Sequence, residues 1–279
     1  MIAALGDLVE DIVVRLDGPI NTASDTASTI VRRRGGSAAN VATSVARLGE
    51  PARFLGQVGS DAIGFALTDE LAREGVDVSC VRRAGSTGTI VALIDPSGER
   101  SMLTDRRACT DLDDPEPVWL DRVSVLHVPF YSLAGGSLAV TARTLIQWAH
   151  DQGIAVSIDA SSSAVLREYG RAQARELIEA LAADVVFANA DEAAELDIDG
   201  PVGGALTVVK RGPSPSVVHR STGDAIEVPP MVITAAPDTT GAGDAFAAGF
   251  LATPDWNSDP EAACHAGHRA AAALLTNRP

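Results

Sequence analysis

The chain is short of cysteine, aromatic side chains and positive charge. Its three cysteines, Cys80, Cys109 and Cys264, are far apart, odd in number and without metal-ligand spacing. They are expected to be buried, reduced thiols, with neither a disulfide framework nor a thiolate metal site. Lysine and arginine number 22 against 37 acidic residues, a formal net charge of −15. That balance argues against a nucleic-acid or membrane-surface partner, although it leaves room for a small anion bound by local donors. No apolar run approaches transmembrane length. No basic region precedes the first apolar residues, so no signal peptide is expected and a cytoplasmic protein fits. The sequence has no G-x-x-x-x-G-K-[ST] and no G-x-G-x-x-G after its first strand, which disfavours a P-loop enzyme and a dinucleotide oxidoreductase. It shows no internal repeat and no low-complexity region.

What is present suits a globular protein with a sizeable core: 46% of the 279 residues are hydrophobic and 21% charged. Residues 2–5 form a first strand ending at Gly6-Asp7, and Asp11–Leu16 form a second. Further on, Val123–Val128, Ile154–Asp159, Asp184–Asn189 and Leu206–Lys210 are expected as strands. Leu138–His150, Arg171–Ala182 and Asp191–Leu196 are expected as helices between them. This alternation predicts a mostly parallel sheet with helices on both faces, and a site beyond the carboxyl ends of the strands. Thr89–Ile94 and Arg100–Thr104 flank Asp95-Pro96-Ser97-Gly98, a type I turn sequence, and read as a hairpin. With residues 26–34 this hairpin forms a separate small unit. Ser216–Arg220 and Asp224–Val228 make a second hairpin, and a last helix spans Pro260–Leu274.

Two glycine motifs stand near opposite ends of the chain. The later one is Asp238-Thr239-Thr240-Gly241-Ala242-Gly243-Asp244-Ala245-Phe246. Phe246 and Phe250 lie four apart on one helical face, so Gly241–Gly243 read as a turn opening a helix. Amides at a helix N-terminus are unpaired and bind anions. A first-turn carboxylate such as Asp244 could take a proton from a hydroxyl attacking phosphorus, or could be an ordinary helix-start acid. The earlier motif is Gly35-Gly36-Ser37-Ala38-Ala39-Asn40-Val41-Ala42, ending at Arg47-Leu48-Gly49. Gly35 and Gly36 allow close approach of backbone and ligand. Ser37 reads as an N-cap, Asn40 as a local capping amide, and Val41, Val45 and Leu48 as a buried stripe.

Taken together, DTTGAGDAF and GGSAANVATSVARLG resemble the two signatures of the PfkB, or ribokinase-like, carbohydrate kinases, in the family's order and over nearly the whole chain. The resemblance implies one ribokinase-like domain over residues 1–279. It has three layers, a mostly parallel central sheet with helices on both faces, and a small β-sheet lid from about 11–34 and 87–107. It assigns Asp244 as catalytic base with Gly241, Ala242 and Gly243 as the anion hole. Asp11, Gly35, Gly36 and Asn40 go to the sugar, where Asp11 alone would read as a polar residue at a strand start. Arg106 or Arg107 resembles a substrate arginine, and a solvated charge pair is the other reading. Asn189-Ala190-Asp191-Glu192 resembles an N-x-x-E element, with Glu192 toward Mg²⁺ through water; by itself Glu192 is a favourable first-turn acid. Asn189, Lys210 and Gly212 are placed at ATP, and His268 at the adenine border, although a helical histidine is equally a packing residue.

The implied reaction is ATP-dependent phosphorylation of a hydroxymethyl on a small sugar or sugar acid, with Mg²⁺ as cofactor. A nucleoside kinase on the same fold is the alternative, disfavoured because the lid strands carry no aromatic residue. A degenerate sugar-binding regulator is further off, since Asp244, Gly241–Gly243 and Glu192 are intact. Members of the family use the lid in dimerisation, so a homodimer is an expectation here. Asp238 and Thr240 lie on the near side of a monovalent-cation site that relatives complete beyond the last helix. The sequence stops at Pro279, so potassium activation is not expected.

Overall fold

A computed structural model describes residues 1–233 and 239–276. Asp238 lies outside the described residues. The large sheet contains β1 (Ile2–Leu5), β4 (Ala52–Val58), β5 (Val81–Arg83), β8 (Val125–Pro129), β9 (Ala155–Asp159), β10 (Val185–Asn189), β11 (Leu206–Lys210), β12 (Ser216–His219) and β13 (Ala225–Val228). Among the described residues their order is β13-β12-β11-β10-β9-β8-β1-β4-β5. Pairing is parallel from β11 to β5, and the β11–β12–β13 edge is antiparallel. A second sheet holds β2 (Val9–Leu16), β3 (Ser28–Gly35), β6 (Thr89–Ile94) and β7 (Arg100–Asp105), in the order β3-β2-β6-β7. This is the expected α/β architecture with its small lid.

Strand periodicity divides the core into two layers. On β10, Val186 and Ala188 face one way and pack with Leu145 of α3 (Gly136–Asp151), Leu166 of α4 (Ser163–Tyr169) and Ile178 of α5 (Arg171–Ala180). Val185 and Phe187 face the other way, toward α1 (Ser37–Arg47), α2 (Ala62–Arg73), α7 (Ala242–Leu251) and α8 (Pro260–Thr276). A strand buried on both faces has no polar side to show, which is why these strands read as continuous apolar runs. Phe246 and Phe250, predicted to share a helical face, do so: their ring centroids are 6.4 Å apart and both meet Phe187 edge-on. Cys109 and Cys264 are buried and Cys80 is half-buried; all three are free thiols.

β1 lies between β8 and β4, and the strand order runs away from it in both directions. The crevice of such a sheet opens where the strand order reverses, beyond the carboxyl ends. β2 starts four residues after the last residue of β1, so the lid is rooted at that same edge. The hairpin turn is built as expected: Gly98 N donates to Asp95 O at 2.9 Å, and Asp95 Oδ1 accepts from the amides of Ser97 and Glu99.

Two local expectations are corrected. Leu48 is 47% exposed, because α1 ends at Arg47 and Leu48 is its C-cap, outside the packed stripe of Val41 and Val45. Ser37 is the first residue inside α1; the N-cap is Gly36, at φ +105°. A Cβ at Gly36 would sit 2.1 Å from the carbonyl oxygen of Asp7, so no side chain fits at the cap position.

Phe250 is fully buried between Phe187 and Trp256. Phe250→Ala should therefore destabilise the protein by about 3–5 kcal/mol, read from denaturant midpoints. A loss below about 1 kcal/mol would show that this layer closes over the cavity.

Candidate active site

α7 opens at Gly241, whose φ of +77° is left-handed and suits a residue without a Cβ. The Ala242 amide closes the turn on Thr239 O at 3.1 Å. Asp244 follows in the first helical turn, half-buried, where α7 packs on α1. Its Oδ1 accepts from Ser37 Oγ at 2.7 Å, and its Oδ2 accepts from Asn40 Nδ2 at 2.9 Å. The two glycine motifs thus meet at one carboxylate. Burial raises the Asp244 pKa above the usual aspartate range; the Ser37 and Asn40 donors oppose that rise. Asn40 Oδ1 in turn accepts from Arg34 Nη1 of β3 at 3.1 Å, and Arg34 Nε stands 3.4 Å from Glu70 of α2.

On the lid side, Asp11 of β2 lies against the β3 backbone, where a Cβ at Gly35 would come within 2.2 Å of Asp11 Oδ1. Its Oδ2 is 3.9 Å from Arg33 Nε. Burial raises the Asp11 pKa, and Arg33, Arg34 and Arg100 pull it back. Arg100 of β7 donates from Nη1 to Thr240 Oγ1 at 2.8 Å, joining the lid to the turn before α7. Arg106 is held by buried Asp7 in a bidentate pair, Nε to Oδ2 at 2.7 Å and Nη2 to Oδ1 at 2.8 Å. Its guanidinium is 5.9 Å from the ring centre of Tyr131, which follows β8. Arg107 pairs with Asp105 at the surface.

The other side of the crevice carries Lys210 at the end of β11. Its Nζ donates to Asp159 Oδ2 of β9 at 2.6 Å and lies 3.3 Å from where a Cβ on Gly243 would stand. The ammonium therefore borders the glycine turn itself. Burial works against the Lys210 charge, but Asp159 and Glu192 outweigh it and raise its pKa. Glu192, only 3% exposed, belongs to α6 (Ala190–Glu195). It closes a capping box with Asn189: Glu192 N donates to Asn189 Oδ1 at 2.9 Å, and Asn189 N to Glu192 Oε2 at 2.8 Å. Asn189 Nδ2 also reaches Glu192 Oε1 at 2.7 Å. Burial, then the charge of Asp159, push the Glu192 carboxyl up to about 7, with Lys210 pulling the other way.

Two buried carboxylates thus share one ammonium, a charge balance that an oxygen-seeking divalent ion would even out. Among the described residues no group of three or more His, Cys, Asp or Glu could hold a metal ion. Gly212 follows β11 in an exposed turn at φ +56°. His268 of α8 is buried edge-on against Phe246, with ring centroids 5.1 Å apart.

Asp7, Arg34, Ser37, Asp159 and Tyr131 were not among the sequence candidates. Asp159 had a usable signal, a polar residue closing an apolar strand at the sheet's carboxyl edge. Ser37 stood inside a recognised motif with a different role attached. Asp7 and Arg34 carry no local mark of their partners.

Residues 1–278 match the model of the pfkB family carbohydrate kinases. An ATP-dependent ribose-1-phosphate kinase from Halopiger xanaduensis is 35% identical over 269 residues, 92% of this chain and 85% of that one. A fructokinase from Klebsiella pneumoniae is 32% identical over 254 residues, covering 85% and 81%. Among solved structures, an adenosine kinase from Sinorhizobium meliloti superposes with a TM-score of 0.84 at 28% identity, covering 100% of this chain and 95% of that one.

With a folded pKa near 7 against an ordinary 4.5, Glu192 keeps a proton that the unfolded chain releases between those values. Its contribution to stability is therefore present at acid pH and is lost as pH rises toward 7. Glu192→Gln, which stays neutral, should gain on the wild type in denaturant midpoint between about pH 5 and about pH 8. A difference that stays constant across that range would contradict the raised pKa.

Proposed function

The chain belongs to the pfkB family of carbohydrate kinases, and we propose that it transfers the γ-phosphoryl group of ATP to a hydroxymethyl of a small sugar or sugar acid, with Asp244 as the base. The observation that carries this reading is the meeting of Asp244 with the Gly35–Asn40 motif, with Lys210 standing beside the Gly243 turn that precedes it. A carboxylate there is within reach of a hydroxyl lying between lid and sheet. An ammonium and helix-start amides stand beside it for the phosphoryl group.

In this reading Asp11 and Asn40 hold sugar hydroxyls, and the bidentate grip of Asp7 aims Arg106 at the substrate. The acceptor hydroxyl gives its proton to Asp244 as its oxygen attacks phosphorus. Charge growing on the transferring group meets the amides of Gly243 and Asp244 and the Lys210 ammonium, all in place beforehand. The Ala242 amide is already spent on Thr239. Gly35 and Gly36 keep the floor free of side chains. Asn189, Gly212 and His268 belong to the nucleotide side. Glu192, with Asp159 beside it, would hold the hydrated Mg²⁺, which supplies positive charge to the nucleotide phosphates. Lids pairing through exposed Ile30 and Leu103, on the face of the small sheet away from Asp11, would make a homodimer.

One observation favours the nucleoside alternative. The lid face that carries Asp11 also presents Val13, Val31, Ile90, Ala92 and Met102, by the alternation of the paired strands. This apolar strip would suit a base as well as the carbon face of a sugar. The adenosine kinase named above has the same fold.

A phosphorylation assay with ATP across pentoses, hexoses, sugar phosphates, sugar acids and nucleosides separates these readings. Turnover of a sugar, sugar acid or sugar phosphate well above every nucleoside is expected; the reverse order would favour the alternative. Asp244→Asn should fold, bind ATP and lose roughly 10²–10⁴ in turnover. Turnover within a factor of a few of wild type would remove Asp244 as the base. Gly243→Val would drive a side chain toward the Lys210 ammonium and should abolish activity with native circular dichroism. A normally active Gly243→Val would leave the glycine turn as a helix start only.

A further inference from the structure

Ser37 is free of capping duty, because Gly36 takes the N-cap position of α1 with no side chain to offer. Its hydroxyl instead crosses 207 residues of sequence to Asp244 Oδ1. Asn40, one helical turn on, covers the other carboxylate oxygen. The Asn40 amide has one orientation that satisfies both its neighbours. Arg34 can only donate and so meets Oδ1; an ionised Asp244 can only accept and so meets Nδ2. Both oxygens of Asp244 are therefore held by donors before any acceptor arrives. A base must release one of them, because the incoming hydroxyl needs a lone pair to receive its proton.

The two donors differ in what else they can do. The Ser37 hydroxyl is short, sits on the first turn of a packed helix, and its one hydrogen bond given by the structure goes to Asp244. Asn40 lies toward the lid, already touches β3 through Arg34, and carries a second N–H that a sugar oxygen can use. Resting on the reading of Asp244 as the base, we propose that Ser37 is a positioning residue. It holds Oδ1 of Asp244 throughout the reaction and aims Oδ2 at the acceptor hydroxyl, while Asn40, oriented by Arg34, is the donor that the hydroxyl displaces. The hydroxyl proton then passes to Oδ2, the new O–P bond forms as the bond to the ADP oxygen breaks, and the proton leaves to water after product release.

Among the described residues, the other titratable groups whose charge acts on Asp244 are Asp159 of β9, Lys210 of β11 and Tyr131 after β8. All three remain when Ser37 is changed, so a comparison of variants isolates the hydroxyl. Loss of a donor to the ionised carboxylate disfavours the basic form of Asp244. The acid limb of kcat/KM should therefore move to higher pH in Ser37→Ala, by about one unit. Activity should fall about tenfold at the acid end and recover toward the alkaline end, with KM for ATP unchanged. Alanine is a strong helix former, so α1 should stay folded, as circular dichroism will show. Ser37→Thr keeps the hydroxyl and should restore the wild-type limb.

An unmoved acid limb, a loss equal at every pH, or a shift that threonine does not reverse would overturn the role of Ser37. Asp244→Asn run beside it tells two failures apart. If that variant is inactive while the Ser37→Ala limb stays put, only the positioning role falls. If Asp244→Asn turns over normally, the base assignment falls and the positioning role with it.

Discussion

A half-buried carboxylate stays ionised only where donors offset its burial, which by itself works against the charge. Here the cost is met by two donors from the other end of the chain, Ser37 and Asn40, on Asp244. Much of the architecture serves this contact. α1 and α7 pack together on one face of the sheet, with Phe246 and Phe250 closing over Phe187 beneath them. Gly36 lets the chain pass close to the Asp7 carbonyl, which brings the start of α1 up to the start of α7.

The same carboxylate sits where two differently charged halves of the crevice meet. On the lid side Arg34, Arg33 and Arg106 are each engaged with an acid or an amide. On the opposite side Lys210 is shared between Asp159 and Glu192. A protein with a formal net charge of −15 thus still gathers Arg33, Arg34, Arg106 and Lys210 around this crevice. Global charge argues against polyanionic partners without arguing against a nucleotide, because affinity for a small anion is set by groups within a few ångströms.

The lid is tied to this centre by side chains as well as by its strands. Arg100 reaches Thr240 beside the glycine turn, and Arg34 reaches Asn40. Both contacts run from lid strands to groups next to Asp244. A shift of the small sheet would be felt at Asp244 through defined hydrogen bonds.

The order of residues was enough for the class of fold, the place of the hairpin and the two glycine motifs. These rest on information within a few residues: strand runs buried on both faces, a Pro-Ser-Gly turn, glycines where a backbone must be bare. Asp244 was legible from its place in a glycine turn, whereas Asn40, Glu192 and Lys210 were picked out by their match to the family's motifs. Only the tertiary structure decided what those residues touch. Ser37 on Asp244, Arg106 on Asp7 and Lys210 on Asp159 join positions 207, 99 and 51 residues apart. No periodicity encodes such a pairing; it arises when parallel strands bring their carboxyl ends to one edge. Ser37 and Leu48 show the same limit on a smaller scale. A serine before a helix reads as a cap and a leucine three after a valine reads as core. Whether the backbone has room for a cap side chain, and where the helix stops, depends on the neighbours that folding supplies.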